Sequence, residues 1–423
     1  ELATEYDVAD ILPLTPLQQG LLFHTETAQG TEELYSVQLD IELVGQLDTE
    51  RLQKAVQNVI SRRPNVVAHF VEQFGQPVQV IPGSPELAWQ YVDMDGDPGA
   101  ESQVQQLALA ERVAVCDLAH QPPFRAALVR TAPEEYRLLL TNHHIVLDGW
   151  SKPILLQEIF ASYFGARLPA PVPYRRFITW LVSQDNDAAE AAWRKVFTGF
   201  ETPTLVGPPG RMALGKRGVE SFMVSAETTA ALNELARSCH TTVSTVLQGA
   251  WAQILMWLTG QHDVAFGTAV SGRPADVAGA DEMVGLLINT VPVRASITPS
   301  TTVADLLGQI QGNHNDTLEH DHLALNHIHH ATGHEQLFDT MFVYENYPLD
   351  TTALSGVQGL AINGYTNREY NHYPLSVQAV PGNELELRVE FDVEVFTKAR
   401  IEKLADRFRR VVEAMTADTR EKR

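Results

Sequence analysis

Residues 136–151 read YRLLLTNHHIVLDGWS and combine three local signals of structure. The run 136–140 is largely apolar, as expected for a buried β-strand. Asp148-Gly149 is typical of a loop, and Ser151 then opens a pattern of apolar residues at helical spacing. The stretch therefore predicts a strand, a loop that begins with two adjacent histidines, and a helix. This order is typical of α/β proteins.

The same mixture of strands and helices extends in both directions from this stretch. Residues 35–43 alternate between apolar and polar, as in a half-buried strand, and residues 52–60 place their apolar side chains at helical spacing. Further on, the pattern predicts a helix over 242–258, a β-hairpin over 373–391 and a helix over 401–415. We therefore predict the fold class α/β, without an internal repeat.

Two proline-rich stretches, 168–173 and 202–210, interrupt the pattern and indicate a domain boundary. We predict an N-terminal lobe, residues 1–175, which carries the two histidines, and a C-terminal lobe, residues 176–423.

Composition excludes several classes of partner. The chain has 423 residues and a formal net charge of −22, with 44% hydrophobic residues. Nucleic acids and anionic membranes attract proteins through lysine and arginine, so this acidity argues against both as partners. The apolar runs are too short and too interrupted to span a bilayer. Only two cysteines are present, so we predict a globular protein of the reducing cytoplasm without a disulfide framework.

The two adjacent histidines are the sharpest candidates for chemistry. On an extended segment neighbouring side chains point to opposite faces, so His143 and His144 are not expected to serve the same site. One should face the interior and the other an opening. Histidine is also the natural proton acceptor near neutral pH. Zinc ligands on a helix need histidines at positions i and i+4, which this pair does not provide.

Two other kinds of site compete with this pair. No G-x-S-x-G motif of a serine hydrolase occurs, and Ser271-Gly272 is not such a motif. The stretch 314–334 holds seven of the fifteen histidines and suggests a metal tract, but it has no cysteine. We predict no metal site.

The segment His143-His144-Ile145-Val146-Leu147-Asp148-Gly149 resembles the HHxxxDG core of condensation domains from non-ribosomal peptide synthetases. Acyltransferases of the chloramphenicol acetyltransferase type share its H-x-x-x-D-G part. Further segments resemble the other motifs of the condensation family, in the family's order: 14–24, 61–66, 174–180, 284–294 (preceded by 271–274) and 337–348.

This resemblance implies a fold of two chloramphenicol-acetyltransferase-like lobes, arranged as a V-shaped pseudo-dimer with an active-site tunnel between them. It implies that His144 is the catalytic residue and His143 a packing residue. It also implies that Asp148 pairs with Arg62 to hold the loop, with Gly149 completing the structural support of the site.

The remaining candidates are possible tunnel or pantetheine contacts, each with a structural alternative. Asn289 is expected to be a hydrogen-bonding strut, and Arg273 either contacts a pantetheine phosphate or forms a structural ion pair. Trp150 is expected to pack in the core at a helix start. Ser151 and Ser271 complete this set.

The reaction implied by the resemblance is peptide-bond formation. The amine of an acceptor aminoacyl group, held on a downstream carrier protein, attacks the thioester of a donor peptide on an upstream carrier. Both phosphopantetheine arms belong to the carriers, so the domain itself binds no cofactor. A neighbouring adenylation domain and a monomeric excised domain are also expected, in the biosynthesis of a secondary metabolite such as an antibiotic or a siderophore.

Within the family, residues 14–20, Leu147 in the central motif, and residues 338–340 with 345–348 resemble the subclass that joins a donor ending in a D-residue to an L-aminoacyl or glycyl acceptor. An epimerisation domain of the same superfamily, or a catalytically silent domain that recruits partner proteins, are the alternatives.

Overall fold

The computed structural model describes residues 7–27, 33–73, 75–208, 216–345 and 359–421. The strands are β1 (Val8–Pro13), β2 (Ser36–Gly45), β3 (His69–Gln73), β4 (Gln76–Pro82), β5 (Ala88–Asp93), β6 (Phe124–Ala132), β7 (Glu135–His143), β8 (Arg217–Val224), β9 (Asp263–Val270), β10 (Asn289–Ser296), β11 (Thr340–Tyr344), β12 (Leu360–Glu369), β13 (Leu375–Val380) and β14 (Leu385–Asp392).

The α-helices of the same ranges are α1 (Pro16–Thr27), α2 (Thr49–Arg62), α3 (Ala100–Cys116), α4 (Ser151–Tyr163), α5 (Arg175–Val182), α6 (Asn186–Val196), α7 (Ala226–Ser238), α8 (Val243–Thr259), α9 (Val303–Thr317), α10 (Leu325–Ala331) and α11 (Lys398–Glu421). A 3₁₀ turn over His144–Val146 follows β7 directly.

The first of two compact units takes its described residues from three separate stretches of the chain: 7–183, 273–288 and 359–371. Its larger sheet has the strand order β12-β2-β7-β6-β5, and β1, β4 and β3 form a second, smaller sheet. Apolar residues of α2, α4 and the central strands are buried together in one core. The burial of this apolar surface is the main source of stability for the unit.

The register of β2 on its two neighbouring strands positions two residues of the candidate site. On one side β2 pairs with β7, with Ser36 opposite His143. On its other side β2 pairs with β12, with Val37 opposite Glu369. The last residue of β12 and the last residue of β7 therefore lie at the same end of the sheet, although they are far apart in the sequence.

The second unit comprises the described residues of 184–272, 289–345 and 372–421. Its sheet has the strand order β10-β9-β11-β13-β14-β8. Helix α8 is largely buried, and its Trp251 is fully buried and packs in the unit's core with Phe342 and Phe408. The α/β character predicted from the sequence is present in the mixture of sheets and helices of both units.

Most predicted elements are confirmed: the alternating strand is β2 and the buried strand is β7. The predicted helices over 52–60 and 401–415 lie within α2 and α11, and the one over 242–258 coincides with α8 apart from its N-cap, Thr242. The predicted hairpin is β13 and β14, which pair in antiparallel fashion. Residues 209–210 of the second proline-rich stretch and 346–348 of the last motif lie outside the described residues. In the described ranges, every helix is too short or too polar to cross a membrane.

Candidate active site

The backbone of both histidines is anchored at the end of β7. The N–H of His143 donates to the carbonyl of Pro123 at 2.7 Å, and the N–H of His144 donates to the carbonyl of Tyr35 at 2.8 Å. The chain then turns away in the 3₁₀ segment, because the N–H of Leu147 donates to the carbonyl of His144 at 3.3 Å. The two rings start from a fixed backbone and take different directions.

The ring of His143 is fully buried and both of its nitrogens are engaged. Its Nδ1 accepts a hydrogen bond from the N–H of Ile145 at 3.0 Å, so the proton of the neutral ring belongs on Nε2. Nε2 lies 3.0 Å from the hydroxyl of Thr25, which itself donates to the carbonyl of Leu21. Burial, together with the neighbouring His144, lowers the pKa of His143 to about 3. These are the surroundings of a neutral packing residue.

The ring of His144 faces a carboxylate instead. Its Nε2 lies 3.1 Å from Oε1 of Glu369, and its side chain is 15% exposed. Burial lowers the pKa of His144, but the charge of Glu369 and the hydrogen bond to it raise it, and the net result is a pKa above the usual value. His144 therefore carries a positive charge more readily than an ordinary histidine.

The carboxylate of Glu369 lies between the side chains of His144 and Lys152. Its second oxygen, Oε2, lies 3.2 Å from Nζ of Lys152, which also donates to Oδ1 of Asn367 at 3.4 Å. Burial raises the pKa of Glu369, but the positive charges of Lys152 and His144 and their hydrogen bonds outweigh burial and hold this pKa well below its usual range. The carboxylate is a fixed anion at the centre of the cluster.

The carboxylate of Asp148 is completely buried and ties the loop to a distant part of the chain. Arg273 binds it with Nη2 at 3.1 Å from Oδ1 and Nη1 at 3.2 Å from Oδ2. The N–H groups of Leu287 and Ile288 donate to Oδ2 at 2.9 and 3.3 Å, and both the N–H and the hydroxyl of Ser151 donate to Oδ1. Each oxygen of the carboxylate thus accepts three hydrogen bonds, and a buried charge requires such partners.

The site is a loop anchored through Asp148 that presents His144 to Glu369. Its motif is part of a match that covers almost the whole chain. A family model described as condensation domain matches residues 8–423. The chain belongs to the condensation domain family.

Curated relatives of this condensation domain are large synthetases. It is 36% identical to a chondramide synthase from Chondromyces crocatus over 93% of its length, and 32% identical to a linear gramicidin synthase from Brevibacillus parabrevis over 97%. It is 34% identical over 91% of its length to the vanchrobactin synthetase of Vibrio anguillarum. The chain spans only 11%, 6% and 14% of these relatives, respectively.

Solved structures agree on the fold. The first condensation domain of the calcium-dependent antibiotic synthetase matches with a TM-score of 0.78 at 20% identity, covering 97% of each chain. The starter condensation domain of rhizomide synthetase matches with a TM-score of 0.81 at 18% identity, covering 96% of this chain and 94% of that one. The predicted fold class, α/β with acetyltransferase-like lobes, is confirmed.

The pairing of Asp148 with Arg62 that the resemblance implied is wrong, because Asp148 binds Arg273. The guanidinium of Arg62 points elsewhere: it donates to the carbonyl of Pro169 and lies 4.0 Å from Glu158. Arg62 is the last residue of α2, and from that position it reaches α4 and the chain after it rather than the loop. The next residue, Arg63, makes the closer contact to Glu158, at 2.8 Å.

The other predicted site residues fall into two groups. In the first unit, Ser151 and Gly149 belong to the loop around Asp148 and are buried, and the Arg273 guanidinium lies over the ring of Trp150, 5.9 Å from its centroid. In the second unit, Asn289 donates to the carbonyls of Asp321 and Leu323 at 2.8 Å each. Ser271 lines a cavity of about 300 Å³ in that unit.

Sequence reasoning missed Glu369, the residue that contacts His144 most directly. This residue sits in the polar stretch 367–369, which has no motif and no clear alternation, and it belongs to a strand from a distant part of the chain. The register of β12 on β2 is the signal that reveals it, and this register is not visible in a single sequence. Thr25, which orients His143, was missed because its contact too joins distant segments.

The histidine-dense stretch 314–334 does not gather its side chains around one point. Across the described residues, no group of three or more His, Cys, Asp or Glu side chains is placed to hold a metal ion. Burial lowers the pKa of His314, and that of His329 to about 4. The histidines of this stretch are instead spread over α9, a 3₁₀ turn and α10 and the residues between and after them.

Proposed function

We propose that this domain forms an amide bond between two carrier-bound substrates. Condensation domains of non-ribosomal peptide synthetases catalyse amide-bond formation, an acyltransferase-type reaction. In this chain the acceptor amine attacks the donor thioester carbonyl, the C–N bond forms and the C–S bond breaks. The observation that supports this most is His144: the second histidine of the motif, on an anchored backbone and paired with a charge.

The chemistry places modest demands on the protein. A thioester is already an activated acyl group, and a neutral amine is a good nucleophile. Holding the two reactants in line can replace entropy worth up to ~7–11 kcal/mol, whereas proton transfer by a positioned side chain contributes ~10²–10⁴-fold in rate. Positioning of the two substrates should therefore contribute more to the proposed activity than proton transfer does.

The partners follow from the same proposal. The donor arrives on an upstream peptidyl carrier protein and the acceptor on a downstream one, each tethered by a phosphopantetheine arm that the carrier supplies. A neighbouring adenylation domain loads the acceptor carrier. We propose that the domain works in the cytoplasm and is monomeric when excised.

Amide formation is tested by mixing the wild-type chain with two carrier proteins that have been loaded separately. Mass spectrometry of the acceptor carrier is expected to show the extended peptide, and chiral analysis should show unchanged stereochemistry in the donor residue. Mixing of D- and L-forms on the donor without an amide product would identify an epimerisation domain. If neither an amide product nor a mixture of D- and L-forms is found, the domain is a silent recruitment domain. Either of these two results would contradict the proposal.

We further propose that the donor ends in a D-residue and the acceptor is L-aminoacyl or glycyl. Matched donor peptides that differ only in the chirality of the last residue are expected to react at different rates, the D-ended one faster. Inversion of the α-carbon exchanges its hydrogen and its side chain beside the attacked carbonyl, and a misplacement of about 1 Å can cost ~10²-fold. Faster transfer of the L-ended donor would reject the subclass and leave the amide-forming activity intact.

A further inference from the structure

The second unit contains a cavity of about 300 Å³ that is lined by its sheet and its helices. The lining comes from β9, β10 and the end of β11, and from α6, α8, α9 and the turn after α9. Ligand pockets in proteins span about 300–1,000 Å³. The cavity therefore suits a small molecule or a single long side chain.

Several polar side chains of this lining have no partner. No hydrogen bond joins a described residue to the side chains of Ser244, Gln248, His314 and Tyr344. An apolar ligand would bury these groups unpaired, which costs free energy. The lining therefore favours a ligand that carries polar atoms.

Asp321 adds an acidic group to the lining, and the backbone around it is fixed. Asn289 of β10 donates to the carbonyl of Asp321 at 2.8 Å, and the indole N–H of Trp193 donates to the carbonyl of His320 at 3.1 Å. Oδ1 of Asp321 is buried and has no hydrogen-bond partner among the described residues. Burial of a carboxylate without partners is costly. A ligand that donates to Oδ1 would remove this cost.

The charges of the lining select the class of ligand. An anion is disfavoured, because Arg294, the one lysine or arginine among the described lining residues, already binds both oxygens of Asp263 at 2.6 and 3.0 Å. A metal ion is disfavoured too, because no group of three or more His, Cys, Asp or Glu side chains in the described ranges is placed to hold one. A protonated amine fits both the carboxylate and the apolar side chains of Val291 and Ile310.

We propose that this cavity binds a protonated primary amine on a short aliphatic chain, with Asp321 as the counter-ion of the ammonium group. Such an amine belongs either to a free small molecule or to an amine-bearing side chain of a carrier-bound substrate, and both present the same chemistry to the cavity. Ser244, Gln248 and His314 supply hydrogen-bonding groups for a second polar atom of the ligand.

The first test is the binding of 4-amino-1-butanol to the intact chain at pH 8, with 1,4-butanediol as the uncharged isostere, followed by saturation-transfer NMR. The amine is expected to bind with a Kd in the millimolar range, and the diol at least about tenfold more weakly. Asp321→Asn keeps the shape and removes the charge, so it should weaken amine binding by about 10- to 100-fold. Equal binding of amine and diol to the wild type would overturn the proposal.

Asp316→Asn is the matched control for this change. Asp316 also belongs to the chain around the turn after α9, but it is 51% exposed and contacts Lys195 at 3.0 Å. The control should bind the amine as the wild type does. If Asp321→Asn binds the amine as tightly as Asp316→Asn does, Asp321 is not the counter-ion and the proposal fails.

Thermal unfolding of the same variants separates a binding role from a structural one. Asp321→Asn is expected to leave Tm unchanged or to raise it, because the carboxyl that it replaces has a buried oxygen without a partner. A fall in Tm of several degrees would show that this carboxyl already has a stabilising partner within the protein, and that result too would overturn the proposal.

The pH dependence of binding is an independent readout. Burial raises the pKa of Asp321 to about 7, so its carboxylate is present above this pH and is lost as pH falls through it. A primary amine stays protonated up to about pH 10, so amine affinity should rise about tenfold between pH 6 and pH 8. A wild-type affinity that is constant over this range would contradict the role of Asp321.

The other titratable groups of the lining come from three elements. Burial lowers the pKa of His314 on α9 and raises that of Tyr344 on β11, while Arg294 on β10 remains a cation. His320 and His322 flank Asp321 in the chain and are retained in Asp321→Asn. The part of the pH dependence that this variant loses is therefore due to Asp321.

A last measurement identifies the source of the amine, and it alone rests on the amide-forming function proposed above. Ornithine and norleucine, whose side chains have equal length with and without the amine, are loaded in turn on the donor and on the acceptor carrier. If the amine belongs to the substrate, Asp321→Asn should slow transfer with ornithine about tenfold or more relative to norleucine. An unchanged ratio, with 4-amino-1-butanol still bound, assigns the cavity to a free small molecule. Absence of any amide product in the wild type would contradict the amide-forming function and leave the binding site in place.

Discussion

Replacing His144 with alanine is expected to lower the rate of amide formation by at least about 10²-fold while the chain stays folded. A positioned side chain that transfers a proton contributes ~10²–10⁴-fold in rate, and one that donates to a developing oxyanion contributes ~10²–10³-fold. The fold should survive because Glu369 keeps its contact with Lys152 and the ring of His144 is not fully enclosed. The residual rate of the His144→Ala variant comes from holding the two substrates together.

Single-turnover transfer between loaded carriers, followed by mass spectrometry, measures this effect. His120→Ala is a matched control, because that histidine is 77% exposed and lies on the surface, where it contacts Asp117 at 2.9 Å. It should leave the rate within about twofold of wild type, as expected for a surface substitution. A well-folded His144→Ala protein with wild-type yield at early times would remove His144 from the reaction.

The elements that could be predicted from the sequence are those that carry their own local pattern. β7 carries the apolar run 138–140, α8 is apolar on most faces, and β2 alternates, so each could be recognised without knowing its neighbours. The motif His143 to Gly149 was likewise a continuous segment. Its two histidines were expected to diverge, and one ring does meet Thr25 while the other meets Glu369.

The partners of these residues could not be predicted, because they depend on which distant segments meet. The stretch around Arg273 and the strand β12 return to the first unit after the chain has entered the second. A proline-rich stretch marks where a chain leaves a unit, but nothing local marks where a later segment comes back. Arg62 and Arg273 both lie in segments that resemble family motifs, 61–66 and 271–274, so the local sequence does not decide which of them meets Asp148.

Replacing Asp148 with alanine is expected to destabilise the first unit by about 3–5 kcal/mol, much more than the His144→Ala change. The reason is the guanidinium of Arg273, 4% exposed, which would remain buried without its counter-ion. The N–H groups of Leu287 and Ile288 would lose their acceptor as well. Differential scanning calorimetry should show a fall in Tm of several degrees or more.

A double-mutant cycle distinguishes the energy of the Asp148–Arg273 ion pair from a simple loss of packing. Arg273→Ala alone leaves a buried carboxylate, and the double variant Asp148→Ala/Arg273→Ala removes both charges, so it should be less destabilised than the sum of the two single changes. Arg62→Ala is the comparison variant: its guanidinium lies 4.0 Å from Glu158 and donates to the carbonyl of Pro169. A hydrogen bond from a charged group is worth about 1.5–3 kcal/mol, so this change should cost less than the loss of the buried pair. If Arg62→Ala lowers Tm as much as Arg273→Ala, or the two single changes simply add, then Asp148 does not hold the loop through Arg273. In that case the rigidity of the His144 loop must come from the backbone contacts of β7 alone.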